Sequence, residues 1–387
     1  GAGGDDGDVG SVPGPVPARV TRSSSHIAAL TEKLEAEKFT KWISNWPVIL
    51  TQYDEFTTKL KRRQLRSQIA VAEQTGTILR NMVGTCKIGS VGECLDRVRQ
   101  MGKLLIAAQP LEFVVGNMVR RVLYTIREEA FTAKAKRRTG LAGKALQTIL
   151  DKESTVDRDA PFAPIRGVVI EGITEAIDEL ENMGVPIQEQ ALEHIHANEV
   201  ILTFGKSSTV EEFLKAAAKR RKFEVIVVET APTFVGHDTA KVYAEAGIQT
   251  TVINDSAVFA IMARVNKVIC GAQAVMANGG LICHSGAHVL ALAAQYHSVP
   301  FVCVTGLLKL CPLYPHDQDT FNDLVSPTAV LSFEEADVMD SVEVLNPEFD
   351  YVPPQLVNLL VTNAYGLQPS YVYRLLTEYY SPEDYVL

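Results

Sequence analysis

A change of hydrophobic period near the middle of the chain limits the folds open to it. Before Gly184 the apolar residues recur every three or four positions, and from Val200 onward they come in short β-branched runs separated by helical stretches. In the first part Leu65, Ile69, Ala72, Leu79 and Val83, then Leu95, Val98 and Leu105, then Val115, Met118, Val122 and Ile126 each mark one face of a helix. Ser90 is placed to cap the second of these helices and Gly84 to end the first. Ile170, Ile173, Ile177 and Leu180 add one more helix, stopped at Gly184. In the second part Val200–Phe204, Val225–Val228, Thr250–Ile253, Lys267–Cys270 and Phe301–Val304 read as strands covered on both faces. Helical candidates at Thr209–Arg221, Asp238–Ala246, Ser256–Arg264 and Ala287–Tyr296 alternate with them. The expected class is therefore α/β: an all-helical domain followed by a Rossmann-like parallel-sheet domain.

The boundaries follow from composition. Residues 1–25, rich in Gly, Asp, Pro and Ser, read as a disordered tail, and 26–130 as the helical domain. Residues 131–165, with their basic and polar runs, read as a linker, and 166–387 as the α/β domain. At 387 residues and 47% hydrophobic composition the chain can bury a large core. Its 46 acidic and 37 basic residues leave a charge of −9, which argues against direct nucleic-acid binding. No apolar run approaches the roughly 18 residues of a membrane span. Six cysteines without a C-x-x-C pair fit a reduced, cytoplasmic setting.

In an open parallel sheet, ligands meet the loops beyond the C-terminal strand ends. Gly205-Lys206-Ser207-Ser208-Thr209 is such a loop, but it lacks the spacing of a phosphate-binding motif, and Ser207 to Thr209 read more simply as a helix cap. His284 and His288 are spaced to share a helix face, yet no carboxylate accompanies them as a metal site requires, so neither metal nor cofactor is expected. Lys59, Lys61, Arg62, Arg63 and Arg66 concentrate five positive charges in eight residues, either a solvated face or a dock for an acidic or phosphorylated segment.

Ile201-Leu202-Thr203-Phe204-Gly205, Glu229-Thr230-Ala231-Pro232, Ile253-Asn254-Asp255-Ser256 and Ala277-Asn278-Gly279-Gly280 together resemble the methylthioribose-1-phosphate isomerase family, which includes the regulatory subunits of translation initiation factor 2B. The stretch from Asn346 to Pro354, with Pro369–Leu375 and Glu378-Tyr379-Tyr380, resembles the beta-type subunits of that factor. The resemblance places Gly205 where the isomerases carry a catalytic cysteine and Gln273 where they carry an aspartate. It places Ala231 at their arginine, and Cys283 and His284 at the Asn-Lys pair that holds the phosphate, leaving Asp255 of the pocket. An amide cannot relay a proton near neutral pH. The resemblance thus implies a non-catalytic subunit of a guanine-nucleotide exchange factor, with delta, alpha, gamma and epsilon subunits as partners. It also implies contact with initiation factor 2 through its alpha subunit and sensing of that partner's phosphorylation. The alternatives are a sugar-phosphate isomerase and a module that senses small phosphorylated molecules.

Overall fold

The structure is a computed structural model and describes residues 36–65, 67–139, 156–315, 321–336 and 342–387. The tail read at 1–25, Arg66 and residues 140–155 of the expected linker lie outside the described residues. The chain forms two units, residues 1–45 and Trp46–Leu387. In the first, a helix spans 36–43 and places the rings of Phe39 and Trp42 5.5 Å apart. All that follows concerns the second.

Helices α1 (Pro47–Lys61), α2 (Gln68–Thr85), α3 (Val91–Ala108), α4 (Phe113–Thr139) and α5 (Arg166–Asn182) form the helical layer. Ser90 caps α3, its hydroxyl accepting from the Glu93 N–H, while the Glu93 carboxylate reaches back to the Gly89 N–H at 2.9 Å. Such reciprocal capping is worth about 1 kcal/mol. The apolar faces read from the sequence are inside: Leu79, Val83, Leu95, Val98, Met118, Val122, Ile126 and Ile173 are all buried. At Gly76 a Cβ would stand 2.6 Å from Met118 and 2.9 Å from Ile177, so α2, α4 and α5 converge there. Helix α5 thus packs within the helical layer, although it lies in the range 166–387 assigned to the α/β part.

The range expected as a linker is structured at both described ends. Helix α4 continues to Thr139, nine residues past the expected boundary at 130. Residues 157–165 fold back on the start of α3, where the Gly92 N–H donates to the Arg158 carbonyl at 2.8 Å and the Phe162 N–H to that of Gly89 at 3.1 Å. Phe162 is fully buried. One aromatic anchor and two backbone bonds outweigh the local polar composition, which alone suggested a solvated segment.

The sheet strands are β1 (Val200–Thr203), β2 (Glu224–Val228), β3 (Gln249–Ile253), β4 (Lys267–Cys270), β7 (Phe301–Val304), β9 (Leu359–Val361) and β10 (Gly366–Leu367), in the order β10-β9-β7-β4-β1-β2-β3 among the described residues. All neighbours are parallel except β9 and β10. Helices α6 (Ser208–Ala218), α7 (Val235–Glu245), α8 (Val258–Met262) and α9 (Ala287–Tyr296) make the crossovers. A smaller antiparallel sheet joins β5 (Ala274–Val275), β6 (Leu281–His284) and β8 (Phe349–Val352), which the sequence reading did not find. One consequence is a correction: His284 ends β6 and His288 lies in α9, so the two do not share a helix.

After α10 (Val372–Tyr379) the chain ends in a 3-10 turn, Pro382–Asp384, whose carboxylate is fully buried in the helical layer. Arg99 donates to Asp384 at 2.5 Å, and Arg127 grips both carboxylate oxygens at 2.8 and 3.2 Å. Removing one partner of a buried pair strands the other's charge, at a cost of about 3–5 kcal/mol. Asp384→Ala should lower thermal stability by that amount, whereas Glu383→Ala, which removes a carboxylate that is 55% exposed, should cost under about 1 kcal/mol. Thermal melts of the two variants check the contrast.

Candidate functional site

The strand order reverses between β1 and β4, and the loops leaving these two strands open the crevice where α/β sheets bind ligands. Ser207 accepts from the Val210 N–H, capping α6 as the sequence suggested. Gly205 closes the loop after β1 with φ of +71°, a left-handed conformation that costs other residues roughly 1–2 kcal/mol. Its N–H donates to the Thr230 hydroxyl at 3.1 Å, and the next residue of that loop, Ala231, donates its N–H to Asp255 at 2.8 Å. On the other side, a Cβ at position 205 would stand 2.7 Å from His284 Cδ2. The Cys283 thiol donates to the Gly271 carbonyl at 3.6 Å. The structure thus brings Gly205, Ala231, Asp255, Cys283 and His284 around one crevice. At Gln273 it is the main-chain carbonyl that is engaged, accepting from Gln68 of the helical layer at 3.1 Å.

The chemistry of this crevice is muted. Asp255 is engaged by backbone, Gly205 has no side chain, and Gln273 cannot ionise. A hydrogen bond to Cys283 and burial push the Cys270 thiol well up, and burial does the same to Cys303, so neither supplies a thiolate near neutral pH. His284 is exposed overall, but desolvation of its ring lowers the imidazole's pKa, against the pull of Glu348 and with the help of Lys309.

Lys309 is the residue that sequence reasoning missed. It donates to the Ala272 carbonyl at 2.8 Å, and burial lowers its pKa against Cys303, Glu112 and Cys283. Burial conversely raises the Glu112 carboxyl, which accepts from Gln68 at 3.3 Å. The available signal was a lone charge in the apolar run Phe301–Cys311.

Residues 64–369 match the model of the Initiation factor 2 subunit family. The chain is also 46% identical over 370 residues to translation initiation factor eIF2B subunit beta of Dictyostelium discoideum, covering 86% of this chain and 95% of that one. The chain belongs to the Initiation factor 2 subunit family. It resembles ribose 1,5-bisphosphate isomerase of Pyrococcus furiosus at 27% identity over 326 residues, 84% of this chain and 92% of that one. A chain in the solved tetrameric eIF2B-beta2-delta2 complex from C. thermophilum superposes with a TM-score of 0.65 at 29% identity, covering 86% and 95% of the two chains.

For a member of the Initiation factor 2 subunit family, two surface features matter besides the crevice. The basic run is not one cationic face. Arg63, at φ of +50°, turns to Glu348 at 2.6 Å and to Asp323, while Lys61 and Arg62 remain exposed and Lys59 is half-buried. Helix α9 instead presents an apolar stripe to solvent: Val289, Leu292 and Tyr296 are 66, 49 and 74% exposed. Phe259 of α8 extends the stripe, its ring 5.0 Å from that of Tyr296. Among the described residues no helix is long and apolar enough to cross a membrane.

Gly205→Ala should destabilise the chain by about 1–2 kcal/mol from backbone conformation alone. Pairing it with His284→Ala, which clears the steric contact, should recover little of that loss in chemical denaturation. His284 also gives a pH signature. The folded state disfavours its proton, and the unfolded chain takes one up near the ordinary value of 6.5, so stability falls as the pH drops below that value. His284→Gln should flatten the decline in Tm between about pH 7 and 5.5.

Proposed function

We propose that this chain is a regulatory subunit, without catalysis of its own, of the guanine-nucleotide exchange factor that acts on translation initiation factor 2. The crevice carries the reading: the backbone frame around the switch point is intact, while positions 205 and 273 offer neither thiol nor carboxylate. An isomerase needs a group that takes a proton and one that returns it. A scaffold that keeps its geometry without those groups is best used for assembly.

The apolar stripe on α8 and α9 supports the same reading, since contiguous exposed apolar surface marks a partner site. The C. thermophilum complex joins its beta chain to delta subunits. By the same logic this chain pairs through its α/β layer with a delta subunit and packs beside alpha, gamma and epsilon subunits. It contributes to the surface that senses phosphorylation of initiation factor 2 on its alpha subunit, with Lys61 and Arg62 free for an anionic partner and Arg63 engaged internally. The role is allosteric, because two forms of one partner must favour two arrangements of the complex.

The native mass of the complex purified through this chain should exceed that of the chain alone. Tyr296→Asp and Phe259→Asp should weaken assembly by at least about tenfold, because each buries an unpaired charge in the contact. Both sites are exposed, so the monomer's Tm should hold. Purified chain should turn over no ribose-1-phosphate substrate; turnover lost on Asp255→Asn would falsify the non-catalytic reading.

A further inference from the structure

The seat of the C-terminal turn has the composition of a ligand site. Three arginines from two helices converge on it: Arg99 of α3, and Arg120 and Arg127 of α4, the last two only 4 and 8% exposed. Arg99 and Arg127 hold the Asp384 carboxylate. Arg127 also pairs with Glu383 at 2.6 Å. Arg120 reads the backbone, donating to the Asp384 carbonyl at 3.2 Å and the Tyr385 carbonyl at 3.1 Å, and its remaining reach is fixed by Asn117 at 3.2 Å. Asn117 is itself anchored on the Leu308 carbonyl at 2.9 Å.

The occupant is held as a docked peptide is held. Of residues 381–387 only Asp384 is buried, and Val386 is 82% exposed, so one carboxylate and two carbonyls anchor the segment, with the half-buried Tyr385 ring packed on the core beside them. Arg99 would keep Asp96 of its own helix at 3.5 Å, but emptying the seat would leave the buried guanidiniums of Arg120 and Arg127 with no anion, a state that demands a replacement from solution. Planar guanidiniums in fixed positions are the group that recognises carboxylate and phosphate in acidic peptides.

We propose that Arg99, Arg120 and Arg127 form a binding site for an acidic peptide turn, filled here in cis by Pro382–Asp384 and open in trans to a segment of the same chemistry when that turn is withdrawn. The site lies outside the switch-point crevice and stands independently of the exchange-factor reading.

The test uses the full chain carrying Asp384→Ala, with Asp384→Asn in parallel as a variant that keeps the shape of the turn. A labelled heptapeptide of residues 381–387, Ser-Pro-Glu-Asp-Tyr-Val-Leu, should bind both variants at least about tenfold more tightly than it binds the parent, whose seat is filled. The same peptide with Asn in place of its Asp should bind about tenfold more weakly. Inorganic phosphate at about 20 mM and constant ionic strength should raise the Tm of the variants and leave that of the parent unmoved. Equal binding of the two peptides, or an equal phosphate response in variant and parent, overturns the proposal. A phosphate response without peptide binding overturns the peptide as occupant.

Discussion

Five of the six parallel strands bury both of their faces, the edge strand β3 alone standing largely exposed although its sequence read as covered, and most of the chain is arranged to meet that demand. Alternate residues of a strand point to opposite sides. Leu202, Ile226 and Val268 belong to one side and Ile201, Val225 and Ile269 to the other, and all are buried. Crossover helices must therefore lie on both sides of the sheet. The demand stops at the outer surface of those helices. Helix α9 satisfies the sheet with Leu290, Ala291 and Ala294 and still carries Val289, Leu292 and Tyr296 outward. An apolar stripe beyond an already covered sheet is surplus to folding, which is why it reads as surface kept for another chain.

The same topology makes the crevice without specifying its chemistry. Reversing the strand order between β1 and β4 parts the loops whatever their side chains are. Here the loops are held by backbone: Gly205 on Thr230, Ala231 on Asp255, Lys309 on Ala272. Asp255 is committed to holding that frame, and Gly205 has no side chain to offer a ligand.

Electrostatics follows an inward logic despite the excess of acid. Arg63, Arg99, Arg120 and Arg127 each turn to an acceptor of their own chain. Guanidinium groups tolerate such positions because their planar fork satisfies several acceptors at once and stays charged. Charge clusters in a linear sequence therefore overstate surface charge: of the run at 59–66, Arg63 is spent on Glu348 and Asp323.

Period and composition determined a good deal. The strands of the parallel sheet and the helices between them from Val200 to Val304, the buried faces of α2 to α5, the caps at Ser90 and Ser207, and the loops beyond β1 and β4 were legible, because each depends on residues within a turn or a strand of one another. Tertiary structure alone decided the rest. It carried α4 through Thr139 and folded Phe162 onto α3, across a stretch whose local composition is polar. It placed His284 at a strand end, since the two-residue β5 has too short a pattern to announce the antiparallel sheet it starts. It joined Asp384 to Arg99 and Arg127 across more than 250 positions. Hydrophobic period records what an element does with its neighbours along the chain, whereas an ion pair between distant residues exists only after the layers carrying them have packed.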